Sequence, residues 1–143
     1  MRRSWVALLL LLPGCTGAVR SFNVYESKAG ETAKVVVSAV QTARLAVEAA
    51  CGGRAYGRYL SQVLADAEED ATAAQGTFDA IQPPDRRADE LRDRLDELLT
   101  TATSTLAELR IAARRGRLDE LPKLAAPLGP VAGKLHDFAE AHA

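Results

Sequence analysis

The chain is 143 residues long, enough for one domain and short of two ordinary ones. Its 18 Lys and Arg nearly balance 19 Asp and Glu, which removes the electrostatic case for a nucleic-acid binder. At 48% hydrophobic and 26% charged it has the composition of a packed chain, and abundant Ala and Leu with only 5% aromatics favour helix over sheet. Two Cys and two His are too few for a disulfide framework or a dense metal site.

The chain opens Met1-Arg2-Arg3, continues with the apolar run Trp5 to Leu12, and reaches Leu12-Pro13-Gly14-Cys15. That run is far shorter than the roughly 20 apolar residues a spanning helix needs, and its leading arginines suit a cleaved signal. The order of apolar run, Gly14 and Cys15 resembles the lipobox of bacterial lipoprotein signals, with Pro13 where that family has a small or β-branched residue. The resemblance implies a signal peptide over residues 1–14, acylation of Cys15, and a tether over residues 15–26. Two acyl chains, at about 0.8 kcal/mol per buried methylene, hold a protein stably on a membrane. The expected location is the extracytoplasmic face of the cell membrane, lipid-anchored, where no ATP supply supports kinase-like chemistry. Two other readings of the segment stay open. Thr16-Gly17-Ala18 also suits an ordinary signal peptidase, which would release a soluble chain lacking Cys15, and Arg2-Arg3-Ser4-Trp5-Val6 faintly resembles a twin-arginine signal.

Four amphipathic segments follow, over a bundle domain expected at residues 27–143. The first, from about Ser27 to Ala50, places Val36, Val40, Ala43, Val47 and Ala50 on one face, opposite Glu31, Lys34, Ser38, Gln41 and Glu48. Cys51-Gly52-Gly53 stops it. The second, from about Ala55 to Ile81, gathers Tyr56, Leu60, Val63, Ala67, Ala74, Phe78 and Ile81 on one side, and Pro83-Pro84 turns the chain. The third, from about Pro84 to Arg115, carries the near-heptad seam Leu91, Leu95, Leu98, Ala102, Leu106, Leu109 and Ala113. Charges at helical spacing support it, Arg86 with Glu90, Glu90 with Arg94 and Arg92 with Asp96, before Arg114, Arg115 and Gly116 end it. The last, Leu118 to Ala141, shows Leu121, Leu124, Leu128, Val131, Leu135 and Phe138 at three-four spacing, with Pro127 and Pro130 expected to kink or break it. The fold expected is all-α: an up-down-up-down four-helix bundle whose last helix is kinked by prolines, preceded by a cleaved signal peptide. Lipobox, tether, Ala- and Arg-rich helices, the Pro83-Pro84 hinge and the stretch Leu109 to Gly116 together look like small helical lipoproteins of high-GC Gram-positive bacteria. That resemblance implies a location and a fold but no activity.

Catalytic and metal-binding patterns are sparse. His136 and Glu140 stand four apart with Asp137 between them, but di-iron bundles need a Glu-x-x-His pair on each of two helices, and His142 follows Glu140 by only two places. Ala139 occupies the place where the imelysin-like iron-uptake signature has its glutamate. A frayed, solvated C-terminus accounts for both histidines. Asp66, Glu68, Glu69 and Asp70 read as a solvated helix face rather than a calcium loop. Cys51 has no histidine near it in sequence and reads as a small hydrophobe packed at a helix end. Nucleophile elbows and phosphate-cradling glycine patterns are absent. The expectation is a chain that is not an enzyme, with no cofactor and no metal.

Topology supplies the candidate site. In an up-down bundle the end of helix one, the start of two, the end of three and the start of four share the pole farthest from Cys15. Arg54, Arg58, Arg110, Arg114, Arg115 and Arg117 collect there, with Tyr56 and Tyr59 nearby. Arginines after helix three suit its dipole, whereas Arg54 and Arg58 stand at a helix start, where positive charge is mildly unfavourable. The function expected is a non-enzymatic binding or structural module at the cell surface, its partners the membrane lipid and an acidic envelope protein or anionic wall polymer. A ligand- or metal-binding accessory for uptake, using a pocket near Pro127 and Pro130, is the alternative.

Overall fold

Small and branched apolar residues recur every third or fourth place near the N-terminus, and they set the length of the first helix. In the computed structural model, which describes residues 21–54 and 57–143, helix α1 runs Phe22–Cys51. The expected signal peptide, Cys15, the tether through residue 20, and Tyr56 lie outside the described residues. Helix α1 begins at Phe22 rather than Ser27, so residues 22–26 are bundle and not tether. The apolar stripe explains this, because Phe22, Tyr25, Ala29 and Ala33 carry the spacing of Val36, Val40, Ala43 and Val47 backwards. Tyr25 is fully buried, its ring tilted against Phe78 with centroids 5.1 Å apart, and the Arg87 guanidinium covers the Phe22 ring at 4.0 Å.

Helix α2 spans Gly57–Asp79 and α3 spans Arg86–Arg114. Pro83 and Pro84 separate them, and Asp85 caps α3 from an extended backbone, its carboxylate accepting the Ala88 amide at 3.0 Å. A 3-10 turn, Leu118–Glu120, leads into the short α4, Leu121–Ala125, and then α5, Leu128–Ala141. All these elements are helical, and no strand occurs among the described residues.

Cross-helix contacts give the directions. Arg92 on α3 meets Asp79 on α2, Gln75 meets Asp96, and Glu68 meets Arg110, so α2 and α3 run antiparallel. Glu26 meets His142 while Val47 faces Gly129 across a groove, so α1 and α5 do likewise. Helix α1 also touches α3, the 3-10 turn and α4, which makes it the axis on which every other element rests.

Both ends of the bundle's long reversals use the same cap. After α1, Gly53 adopts φ 68° and donates to the Ala50 carbonyl at 3.0 Å, while Arg54 donates to Ala49 at 2.9 Å. After α3, Gly116 adopts φ 72° and donates to Ala113 at 3.0 Å, while Arg117 donates to Ala112 at 3.0 Å. Left-handed glycine satisfies the last carbonyls in each case. The final segment is interrupted at Ala126 and Pro127. Pro127 and Pro130 offer no amide hydrogen to the carbonyls of Lys123 and Ala126, and Lys123 accepts from Ala126 instead at 3.3 Å.

The core draws leucines from α2, α3 and the last segment against alanines and valines of α1. Leu99, not Leu98, is the fully buried member of that α3 turn, and in α2 Leu64 and Ala71 join Leu60, Ala67 and Phe78 inside while Val63 stays half-buried. The anticipated Arg92–Asp96 pair is replaced by a tertiary one. Arg92 donates to the Asp79 carbonyl at 2.9 Å and so satisfies the negative end of α2, leaving Asp96 to Gln75.

The Tyr25 hydroxyl is buried without a hydrogen-bond partner among the described residues. Burial raises its pKa above the ordinary phenol value, with Arg92 opposing and Asp89, Asp79 and Asp93 adding to the rise. A raised phenol pKa means that the unfolded chain ionises first, so Tyr25's contribution is intact below about pH 10 and is lost as pH climbs through the folded value. Tyr25→Phe is expected to remove that alkaline loss and, by deleting an unsatisfied buried group, to raise the unfolding free energy at neutral pH by about 1 kcal/mol. Urea melts between neutral and strongly alkaline pH read both effects.

Candidate functional site

The two glycine-capped reversals place Arg54 and Arg117 at equivalent positions, each the third residue after its helix. The turn Leu118–Glu120 touches both α1 and α3, and Glu68 on α2 meets Arg110 on α3. The ends of α1 and α3, the first half of α2 and the start of α4 therefore meet at one end of the bundle.

The six arginines expected there divide. Arg110 is spent on Glu68, with Nε and Nη2 donating to the two carboxylate oxygens of a largely buried pair, and that hydrogen bonding raises the guanidinium pKa above its ordinary value. Arg117 Nη1 donates to Glu120 at 2.6 Å. Arg54, Arg58, Arg114 and Arg115 are exposed and belong to no ion pair among the described residues. Arg114 shares a shallow depression with Glu68, Glu69 and Arg110. The solvent-facing charge of this end is thus carried by four arginines rather than six.

Apolar side chains stand among them. Tyr59 is 66% exposed, Leu118 40% and Ile111 36%. Arginine beside exposed aromatic and aliphatic surface is the composition of a binding patch core. Ile111 and Leu118 were not singled out by sequence. Ile111 follows Leu109 by two places, which turns it about 200° away from the buried seam, and that offset is the signal that exposes it. Leu118 reads as the start of the last helix, whereas it lies in the 3-10 turn before α4.

Two expectations about isolated residues are corrected. Cys51 is exposed rather than packed at the helix end, being the last residue of α1 before the Gly52–Gly53 turn. It borders a groove of about 460 Å³ between the end of α1 and the interruption of the last segment, where Val47, Pro122, Ala125, Ala126 and Gly129 form the apolar walls. His142 is not frayed. Its Nδ1 lies 2.8 Å from Glu26 Oε1, its ring tilts against Phe138 at 4.5 Å, and its side chain is 15% exposed. His136 is exposed, as expected.

Among the described residues no group of three or more His, Cys, Asp or Glu side chains converges as a metal site. Asp66, Glu69 and Asp70 face solvent, while Glu68 is taken by Arg110. No described helix is long and apolar enough to cross a membrane.

No protein-family model matches the chain. No curated protein matches it, and no solved structure does.

Proposed function

We propose that this chain is a lipid-anchored extracytoplasmic lipoprotein, an up-down-up-down four-helix bundle that presents a basic end to an acidic envelope protein or an anionic wall polymer without catalysing a reaction. The anchor is Cys15, acylated after removal of residues 1–14, and the prolines near residue 127 kink the last helix. The observation that carries the binding half is the pairing of four unpaired arginines with exposed Tyr59, Ile111 and Leu118 at one end. Helix α1, with 30 residues, spans about 45 Å and separates that end from Phe22, where the described chain leaves the tether. A basic surface held that far from the bilayer meets wall components before it meets lipid headgroups.

Fractionation tests the anchor. The native chain is expected in membranes with a diacylated N-terminal Cys15, and Cys15→Ala in the soluble fraction; an unmodified N-terminus in the culture fluid contradicts the proposal. Retention on immobilised polyglutamate at low salt tests the basic end. Replacing Arg54, Arg58, Arg114 and Arg115 together by Gln is expected to weaken retention roughly tenfold, at a few tenths of a kcal/mol for each exposed charge. Unchanged retention contradicts it.

A second reading, a ligand-binding accessory for uptake, is favoured by the groove of about 460 Å³ beside Cys51, whose volume lies in the range of small-molecule sites. Filling it with Ala126→Trp is expected to abolish uptake of an apolar fluorescent dye if that reading holds, and to change nothing if it does not.

A further inference from the structure

Charge on α2 is one-sided. Between Gly57 and Asp79 its only base is Arg58, against five carboxylates at Asp66, Glu68, Glu69, Asp70 and Asp79. Arg110 and Arg92 consume Glu68 and Asp79, which leaves Asp66, Glu69 and Asp70 outside any ion pair among the described residues. Asp66 accepts only a neutral donor, the Gln62 side-chain amide at 2.7 Å.

Beside these acids runs a groove between α1 and α2. Two adjoining depressions of about 400 and 420 Å³ share Val35 and Asp70 and extend from Tyr59 to the last turn of α2. Val35 is 47% exposed at the centre, and Val63, Ala74 and Ile81 are half-buried along the floor. Among the described residues Lys28 is the only base lining it, and Glu31 holds that ammonium at 2.8 Å. From Tyr59 to Phe78 the helical rise is about 28 Å, close to five turns.

We propose that this groove docks a cationic amphipathic helix of another protein. Its length accommodates a helix laid along α1 and α2, with apolar residues at three-four spacing over Val35, Val63 and Ala74, as in other helix-in-groove complexes. Lysines or arginines flanking that stripe meet Asp66 and Asp70, whose unpaired charge supplies the selectivity. The same carboxylates disfavour the other occupants. Two copies joined groove to groove about a two-fold axis bring like charges together, and an anionic lipid surface or polymer is repelled. The groove begins at Tyr59, where it adjoins the arginine end, and runs away from it with the opposite charge, so the two surfaces would join a basic partner on the flank to an acidic one at the tip.

The test uses the purified protein and two labelled 20-residue synthetic helices sharing one leucine stripe, flanked by lysine in one and glutamate in the other. Fluorescence anisotropy at low salt, with Arg54, Arg58, Arg114 and Arg115 replaced by Gln so that the basic end does not capture the glutamate helix, is expected to show binding of the lysine helix alone. Asp66→Asn with Asp70→Asn is expected to weaken it about fivefold, Val35→Arg to weaken it at least as much, and Glu69→Gln, outside the groove, to leave it nearly unchanged. Equal binding of both helices, no binding of either, or an affinity unaffected by the double Asn substitution overturns the proposal. So does a dimer in sedimentation that Val35→Arg dissolves, which would assign the groove to a second copy.

Discussion

Every helix of this bundle rests on one strip of small side chains. Ala29, Gly30, Ala33, Ala39 and Ala43 lie along α1 with Val36, Val40 and Val47 between them, all buried. Residues this small let α2, α3 and α5 approach the same helix from three sides, and the bulk that fills the interior comes from the partners, chiefly leucines of α2, α3 and α5. The tightest place is Gly30. The backbone of His142, at the end of α5, closes over it so nearly that a Cβ has no room. The C-terminus is consequently part of the bundle, held by that approach and by the Glu26–His142 contact.

The arrangement makes the two ends chemically different. All three phenylalanines, Phe22, Phe78 and Phe138, gather with Tyr25 and His142 at the end where α1 begins. Aromatic bulk there compensates for the small stripe and seals the end where α1 begins. Among the described residues the opposite end has no such plug. Two glycine caps, a 3-10 turn and exposed arginines finish it, and its apolar residues Tyr59, Ile111 and Leu118 remain in solvent. One end is closed by packed aromatic rings and the other leaves apolar and arginine side chains in solvent, which is the physical basis of the proposed role at the cell surface.

Periodicity made the helices legible, because Val36, Val40, Ala43 and Val47, or Leu91, Leu95, Ala102, Leu106 and Leu109, carry the helical repeat with no tertiary information. The glycine stops were equally local. What failed was whatever depended on a neighbour. The first turn of α1 lies within the expected tether, and it is the burial of Tyr25 against Phe78 that ties it to the other helices. Leu98 and Leu99 are adjacent, and only the position of the facing helices decides which one is buried. The arginine end was visible as composition, but nothing in the spacing from Glu68 to Arg110 announces their pairing. The groove between α1 and α2 was invisible for the same reason, being a property of two helices together.

The central claim, that close approach to α1 holds the bundle together, is tested most directly by two glycine substitutions of opposite expected sign. A helical Gly→Ala normally stabilises by about 0.5–1 kcal/mol through backbone entropy. Gly133, on the exposed side of α5 with open space around it, should follow that rule. Gly30→Ala should instead destabilise by about 1–3 kcal/mol, because the added methyl must push the end of α5 away from α1. Urea unfolding in which Gly30→Ala stabilises the protein as Gly133→Ala does would contradict the account.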